Sequence, residues 1–145
     1  MTTPDPYASF NFIVEIEGLA TGGFSDVSGL TSEADVNEYR EGSEPSVRKL
    51  TGLRKHGSIT LTRGITQSRD LYDWYADVMK GNTVRRNGSV VLLDTGKAEI
   101  ARWHFLNAFP CRWEGPALDG SGSAITIETL TLCCEGIERV TPART

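Results

Sequence analysis

Histidine is nearly absent from this chain, which holds two in 145 residues, and cysteine is scarce at three. These scarcities remove most site chemistry. Nucleophilic catalysis needs Ser or Cys beside His beside a carboxylate, and neither His56 nor His104 sits in such a signature. Cys111 and the adjacent pair Cys133-Cys134 make an odd count without C-x-x-C spacing or a histidine cluster. They describe neither a disulfide framework nor a zinc site. Adjacent strand residues point to opposite faces, so at most one of Cys133 and Cys134 turns inward, as a small hydrophobe.

No apolar run approaches the roughly 20 residues of a membrane-spanning helix. Met1-Thr2-Thr3-Pro4-Asp5-Pro6 lacks the basic and apolar regions of a secretory signal. The expectation is a soluble protein without membrane anchoring, made and kept in the cytoplasm. A net charge of −4 argues against nucleic acid as a partner of the monomer's surface, since phosphate binding needs clustered Lys and Arg. No metal or cofactor is expected. Gly120-Ser121-Gly122-Ser123 lacks the Lys and the following helix of a phosphate loop. Carboxylates such as Glu33, Asp35 and Glu128 are routine on exposed strand faces. The chain reads as a non-enzyme.

What is present is alternation. A hydrophobic share of 39% and a charged share of 23% suit one globular domain, long enough to fold without staples. Phe10, Phe12, Val14 and Ile16 share one face of a half-buried strand that Gly18 ends. Phe24 to Val27 is a short strand, and Glu33 to Arg40 alternates in a more polar register, with Ala34 and Val36 opposite Glu33, Asp35 and Asn37. Glu41 to Lys55 loses regularity at Gly42, Pro45 and Gly52, and concentrates Arg48, Lys49, Arg54 and Lys55 around Val47, Leu50 and Leu53. That predicts a long loop that docks on something. Gly57 to Arg63 restores a strand facing in through Ile59 and Leu61.

The period then changes to that of a helix. Leu71, Trp74, Tyr75, Val78 and Met79 form one amphipathic stripe over 66–81, with N-caps near Thr66 to Ser68 and Gly81 as the stop. Asn87-Gly88 signals a turn, leaving Arg85-Arg86 at a charged hairpin corner that is either a solvated tip or a place for salt bridges with a neighbouring subunit. Ser89 to Asp94 is apolar on both faces and therefore central. Ala98 to Trp113 is a strand pair or one bent strand, with Trp103, Phe105 and Phe109 inside and a bend at Pro110. In the last strand, Ser123 to Glu135, the apolar set shifts from Ile125 and Ile127 to Leu130 and Leu132, which predicts a bulge or a change of neighbour near Thr129-Leu130. The sum is a mainly β (α+β) chain, a barrel-like sandwich of about seven strands with one amphipathic helix.

Several blocks in order carry a resemblance. Phe12-Ile13-Val14-Glu15-Ile16-Glu17-Gly18, Phe24-Ser25-Asp26-Val27-Ser28-Gly29-Leu30, Glu38-Tyr39-Arg40-Glu41-Gly42, Val47-Arg48-Lys49-Leu50, Gly57 to Gly64, Asp73-Trp74, Arg85 to Ser89, Leu92-Leu93-Asp94, Ala101-Arg102-Trp103, Asn107 to Pro110 and Ile127 to Leu130 together resemble the tail tube protein family of contractile phage tails and extracellular contractile injection systems. The resemblance implies one tail-tube domain over 1–145, with an N-terminal arm at 1–8, an inter-subunit loop at 41–56 and the helix at 66–81. It implies hexameric rings stacked into a hollow tube that passes DNA or protein cargo, inside a contractile sheath and joined to baseplate, spike and terminating proteins. A tube-initiating adaptor at the spike is the related alternative. Arg40, Glu41, Val47, Arg48, Lys49, Leu50, Leu53, Arg54 and Lys55 are then the residues expected to reach neighbouring subunits. Glu33, Asp35, Asn37, Thr126 and Glu128 are expected to line the lumen, as polar strand faces do in wide barrels.

Overall fold

A computed structural model of the chain describes residues 11–19, 24–65, 68–118, 120–122 and 126–141. The arm expected at 1–8 lies outside them, as do Phe10, Thr66 and the first residues of the expected strand from Ser123. Strand β1 (Asn11–Ile16) buries Val14 and Ile16 and exposes Asn11, Ile13 and Glu15, the period-2 pattern of a strand with one dry face. It pairs antiparallel with β6 (Arg86–Leu93), which pairs with the first half of β7 (Glu99–Glu114); β9 (Gly136–Val140) takes the other side of that half. The second half of β7 pairs with β8 (Ile127–Cys133), and the order continues through β5 (Ile59–Gly64) to β2 (Phe24–Ser28). One 16-residue strand therefore belongs to two layers of four strands. It turns between them where Asn107 takes φ 51° and the register slips between Pro110 and Arg112. Asn is among the few non-glycine residues that tolerate that backbone region.

Val14, Ile16, Val90 and Phe105 from the first layer meet Ile59, Leu61, Leu130 and Leu132 from the second in one core. Each such side chain, taken from water, contributes about 1.5–3 kcal/mol. Helix α1 (Asp70–Met79) packs on β7 and adds Leu71 and Trp74 to the core, with the Trp74 ring nitrogen donating to Val84 O at 2.7 Å. The buried stripe is narrower than its spacing predicts. Tyr75 and Val78 are half-buried, and Met79 is 57% exposed. The helix also starts at Asp70 rather than near Thr66, with Arg69 as its cap residue and Ser68 hydrogen-bonded to Asp70 beside it. Gly81, at φ +88°, ends it as expected.

The described residues form nine strands, two more than the expected seven. Strand β9 is a short polar segment beyond the expected end at Glu135. Strand β4 (Arg48–His56) lies inside the segment read as a loop, and pairs with β3 (Ser32–Tyr39) as a separate two-stranded sheet. A register slip at β4 breaks its alternation. Asn87-Gly88 is not a turn either. Both residues lie within β6, where the register slips between Arg86 and Gly88, and a Cβ at Gly88 would collide with the Phe105 ring and the Glu15 carbonyl. Glycine is there to let the core ring approach the backbone. Within the chain Arg85 pairs with Glu135 at 2.8 Å and Arg86 donates to the Glu17 carbonyl at 2.7 Å, while the buried Arg86 Nε has no hydrogen-bond partner among the described residues.

No bulge occurs in β8 against β5: every pair from Ile59↔Leu132 to Gly64↔Ile127 keeps one register. The alternation is intact because Glu128, not Ile127, faces inward. Glu128 is 6% exposed and so does not face a lumen. It accepts from Arg63 Nε at 2.6 Å, its register partner on β5, and from Trp113 Nε1 at 3.1 Å. Arg63, 5% exposed, also donates to Asp70 at 2.7 Å and so ties the helix start to the sheet. Burial works against the Arg63 charge, but the hydrogen bonds and attraction of Glu128 and Asp70 hold its pKa above the ordinary value.

For Asp70, burial works to raise the carboxyl, yet Arg63, Ser68 and the Leu71 N–H outweigh it and hold it below the usual carboxylate value. A carboxyl depressed on folding stabilises fully above its unfolded value, about pH 4, and loses that contribution as pH falls through the folded value. Urea denaturation is therefore expected to show stability falling below about pH 4 more steeply in the natural protein than in Asp70→Asn. Equal slopes would show that Asp70 is not coupled to folding.

Candidate assembly interface

The β3–β4 hairpin stands apart, its residues exposed almost throughout. Val36 is 61% exposed, Leu50 52% and Leu53 72%, with Val47 and Tyr39 also open. An isolated two-stranded ribbon is marginal in water, and apolar side chains gathered on one signal a surface that is covered in use. The residues expected to reach neighbouring subunits, Arg40, Glu41, Val47, Arg48, Lys49, Leu50, Leu53, Arg54 and Lys55, all lie on this hairpin or its tip.

Its charges are largely balanced within the hairpin. The register sets Lys49 opposite Glu38 and Lys55 opposite Glu33, and Lys55 Nζ lies 3.3 Å from Asp35. Cross-strand pairs of this kind support the ribbon itself. Arg48 and Arg54 stand opposite the uncharged Tyr39 and Ala34. Glu33, Asp35 and Asn37 thus sit on the projecting hairpin, not on either layer of the sandwich. Gly52 lets Asp35 and Asn37 close over β4, since a Cβ there would lie about 3.1 Å from both.

A second surface went unread in the sequence. On the outer face of the second layer the registers align Ser28, Thr60, Thr131 and Arg112 in one row and Asp26, Thr62, Thr129 and Glu114 in the next. Every residue in both rows is polar, and the Thr62 and Thr129 hydroxyls lie 3.5 Å apart. The alternating threonines are visible in the chain, but their alignment into rows depends on strand order. Thr126 is exposed just before β8. This layer ends at β2 on one side and at the second half of β7 on the other, and both edges lack a partner strand among the described residues.

Among the described residues the histidines and cysteines lie as follows. Strand register flanks His104 with Ser89 and Glu138, a nucleophile–base–acid row by residue type. Yet no hydrogen bond joins Ser89 to His104 among the described residues, and His104 Nδ1 is 3.9 Å from Glu138 on a half-exposed surface. Burial, then the adjacent Cys133, pushes the Cys111 thiol up to about 11, and burial raises Cys134, which opposes the thiolate a nucleophile needs. Among the described residues no group of three His, Cys, Asp or Glu is placed to hold a metal ion.

A search of curated protein sequences returns no match. Among solved structures, a chain of the anti-feeding prophage (AFP) baseplate shares 26% identity at a TM-score of 0.80, covering 97% of each chain. A chain of the PVC sheath–tube complex, an extracellular contractile injection system in its extended state, shares 25% at a TM-score of 0.80, covering 89% of this chain and 87% of that one. Hcp1 from Flavobacterium johnsoniae, at 20% identity and a TM-score of 0.60 over 88% of this chain and 93% of its own, shares the fold. The sequence profile of the T4-like virus tail tube protein gp19 family matches residues 8–138. With nearly the whole chain matched and the two-layer fold in common with injection-system proteins, the protein belongs to the tail tube protein family.

Proposed function

We propose that the protein is the repeating subunit of the inner tube of a contractile injection particle or phage tail, closing into hexameric rings that stack around a hollow lumen. The observation that carries this reading is a four-stranded layer with two unpartnered edges and two aligned polar rows on its outer face. Pairing the β2 edge of one copy with the β7 edge of the next extends the layer into a ring and removes edges that invite uncontrolled aggregation. The rows of Ser28, Thr60, Thr131 and Arg112 and of Asp26, Thr62, Thr129 and Glu114 then form the lumen wall, in place of Glu33, Asp35, Asn37 and Glu128. These two polar rows give passing DNA or protein little to adhere to.

The exposed hairpin, the expected inter-subunit loop of 41–56 in its folded form, packs against neighbouring copies through Val36, Val47, Leu50 and Leu53. The sheath, baseplate and terminating proteins are the further partners. The solved relatives support them, since these come from a sheath–tube complex, a baseplate and a tube-terminating cap. The subunit works without a chemical step or cofactor, is assembled in the cytoplasm and ends as part of a particle. An adaptor role at the spike has no observation of its own in its favour.

Electron microscopy of the purified protein, alone and with its sheath partner, tests this. Rings with six-fold symmetry or stacked tubes are expected. A protein that sediments as a monomer and shows no rings under either condition would refute the proposal.

A further inference from the structure

We infer that Cys111 and Cys133 are a cross-link site: they form a disulfide when the folded protein meets a low-molecular-weight disulfide, pinning the second half of β7 to β8. The two sulfurs lie 2.8 Å apart, and a bond at about 2.05 Å requires them to move closer by only about 0.8 Å. The placement has a cause in the fold. Register slips between Pro110 and Arg112, so Cys111 drops out of the β7–β8 ladder, and its thiol lies against Thr131 O at 3.5 Å and against Cys133. Cys133 continues the outward face of Thr129 and Thr131, whereas Cys134 turns the other way, donates to Gly57 O at 3.4 Å and packs against the core. The adjacent cysteines thus divide into a pairing thiol and a packing thiol.

The exchange balances with the oxidant named. The Cys111 thiolate attacks one sulfur of the small disulfide, forming a mixed disulfide and expelling the first small thiolate. The Cys133 thiolate then attacks the Cys111 sulfur and expels the second. Two cysteine thiols become one cystine; their two protons pass to the two expelled thiolates, and the two electrons reside in the resulting small thiols. Cys111 is exposed and so open to the first attack. Its raised pKa makes that attack slow at neutral pH. The subunit therefore stays reduced inside a cell that keeps thiols reduced and closes the link after prolonged contact with an oxidising medium.

Incubating the purified protein with oxidised glutathione, then counting free thiols in denaturant, tests this directly. The count is expected to fall from three to one, with a non-reducing digest yielding a peptide that joins Cys111 to Cys133. Cys134→Ser is expected to fall from two thiols to none, while Cys111→Ser and Cys133→Ser form no internal link. Closing residues 111–133 constrains the unfolded chain, so the oxidised form is expected to melt on the order of 5–10 °C higher and to return on reduction with dithiothreitol. Three titratable thiols after long exposure, a glutathione adduct that persists on Cys111, or disulfide-linked dimers as the product would each overturn the inference.

Discussion

Arg63→Ala is expected to lower the unfolding free energy by about 3–5 kcal/mol, a large share of the roughly 5–15 kcal/mol that holds a domain folded. The expected loss comes less from the missing bonds than from what remains. Glu128 and Asp70, with side chains 7% and 14% exposed, would keep their charges with no cation beside them. Uncompensated buried charge is far more costly than a broken surface pair. Arg63→Met combined with Glu128→Gln and Asp70→Asn distinguishes the two explanations. That combination removes all three charges while leaving Trp113 Nε1 an acceptor, and it is expected to recover most of the loss. Urea denaturation of the three proteins decides it. An Arg63→Ala variant within 1 kcal/mol of the natural protein would show that water, not the ion network, solvates these carboxylates.

The same network marks where the sequence misled. The strand phase of β1, the two-sided burial of β6, the bend at Pro110 and the helix stop at Gly81 were all legible, because each rests on local spacing or backbone chemistry. In β8 a rule about residue type competed with spacing. Reading Glu128 as outward-facing forced a bulge at Thr129-Leu130 that the chain does not have, whereas accepting one buried carboxylate keeps a single phase. Arg63, two residues beyond Leu61 on the same face of β5, was the available hint that a counter-charge lay nearby. Asn87-Gly88 shows the converse limit. A strong turn signal also suits a register slip beneath an aromatic ring, and only the Phe105 contact separates the two. Strand β4 was hidden by its slip against β3, and the polar rows of the second layer by strand order, which is not a local property.

Leu50→Glu combined with Leu53→Glu is expected to keep the protomer folded while removing most assembly. Both side chains are open to solvent in the single chain, so the change in protomer stability should stay within about 0.5 kcal/mol. In the proposed assembly the same positions become buried contacts. Losing about 1.5–3 kcal/mol for one leucine weakens each contact by roughly 10- to 100-fold, and burying an unpaired carboxylate adds to that. Every copy repeats the loss, so the variant is expected to stay monomeric at concentrations where the natural protein forms tubes. Reversing Arg48 and Lys49 to glutamate makes a useful contrast. Lys49 already faces Glu38 across the ribbon, so that variant also strains the hairpin through a like-charge pair. Charges at the rim of a contact act mainly on association rate and salt dependence, so its assembly is expected to be slow and poorly stacked rather than abolished. Analytical ultracentrifugation with micrographs of the same samples separates these outcomes. Full-length tubes from the double leucine variant would mean that the hairpin projects into solvent and that the sheet edges alone hold the tube together.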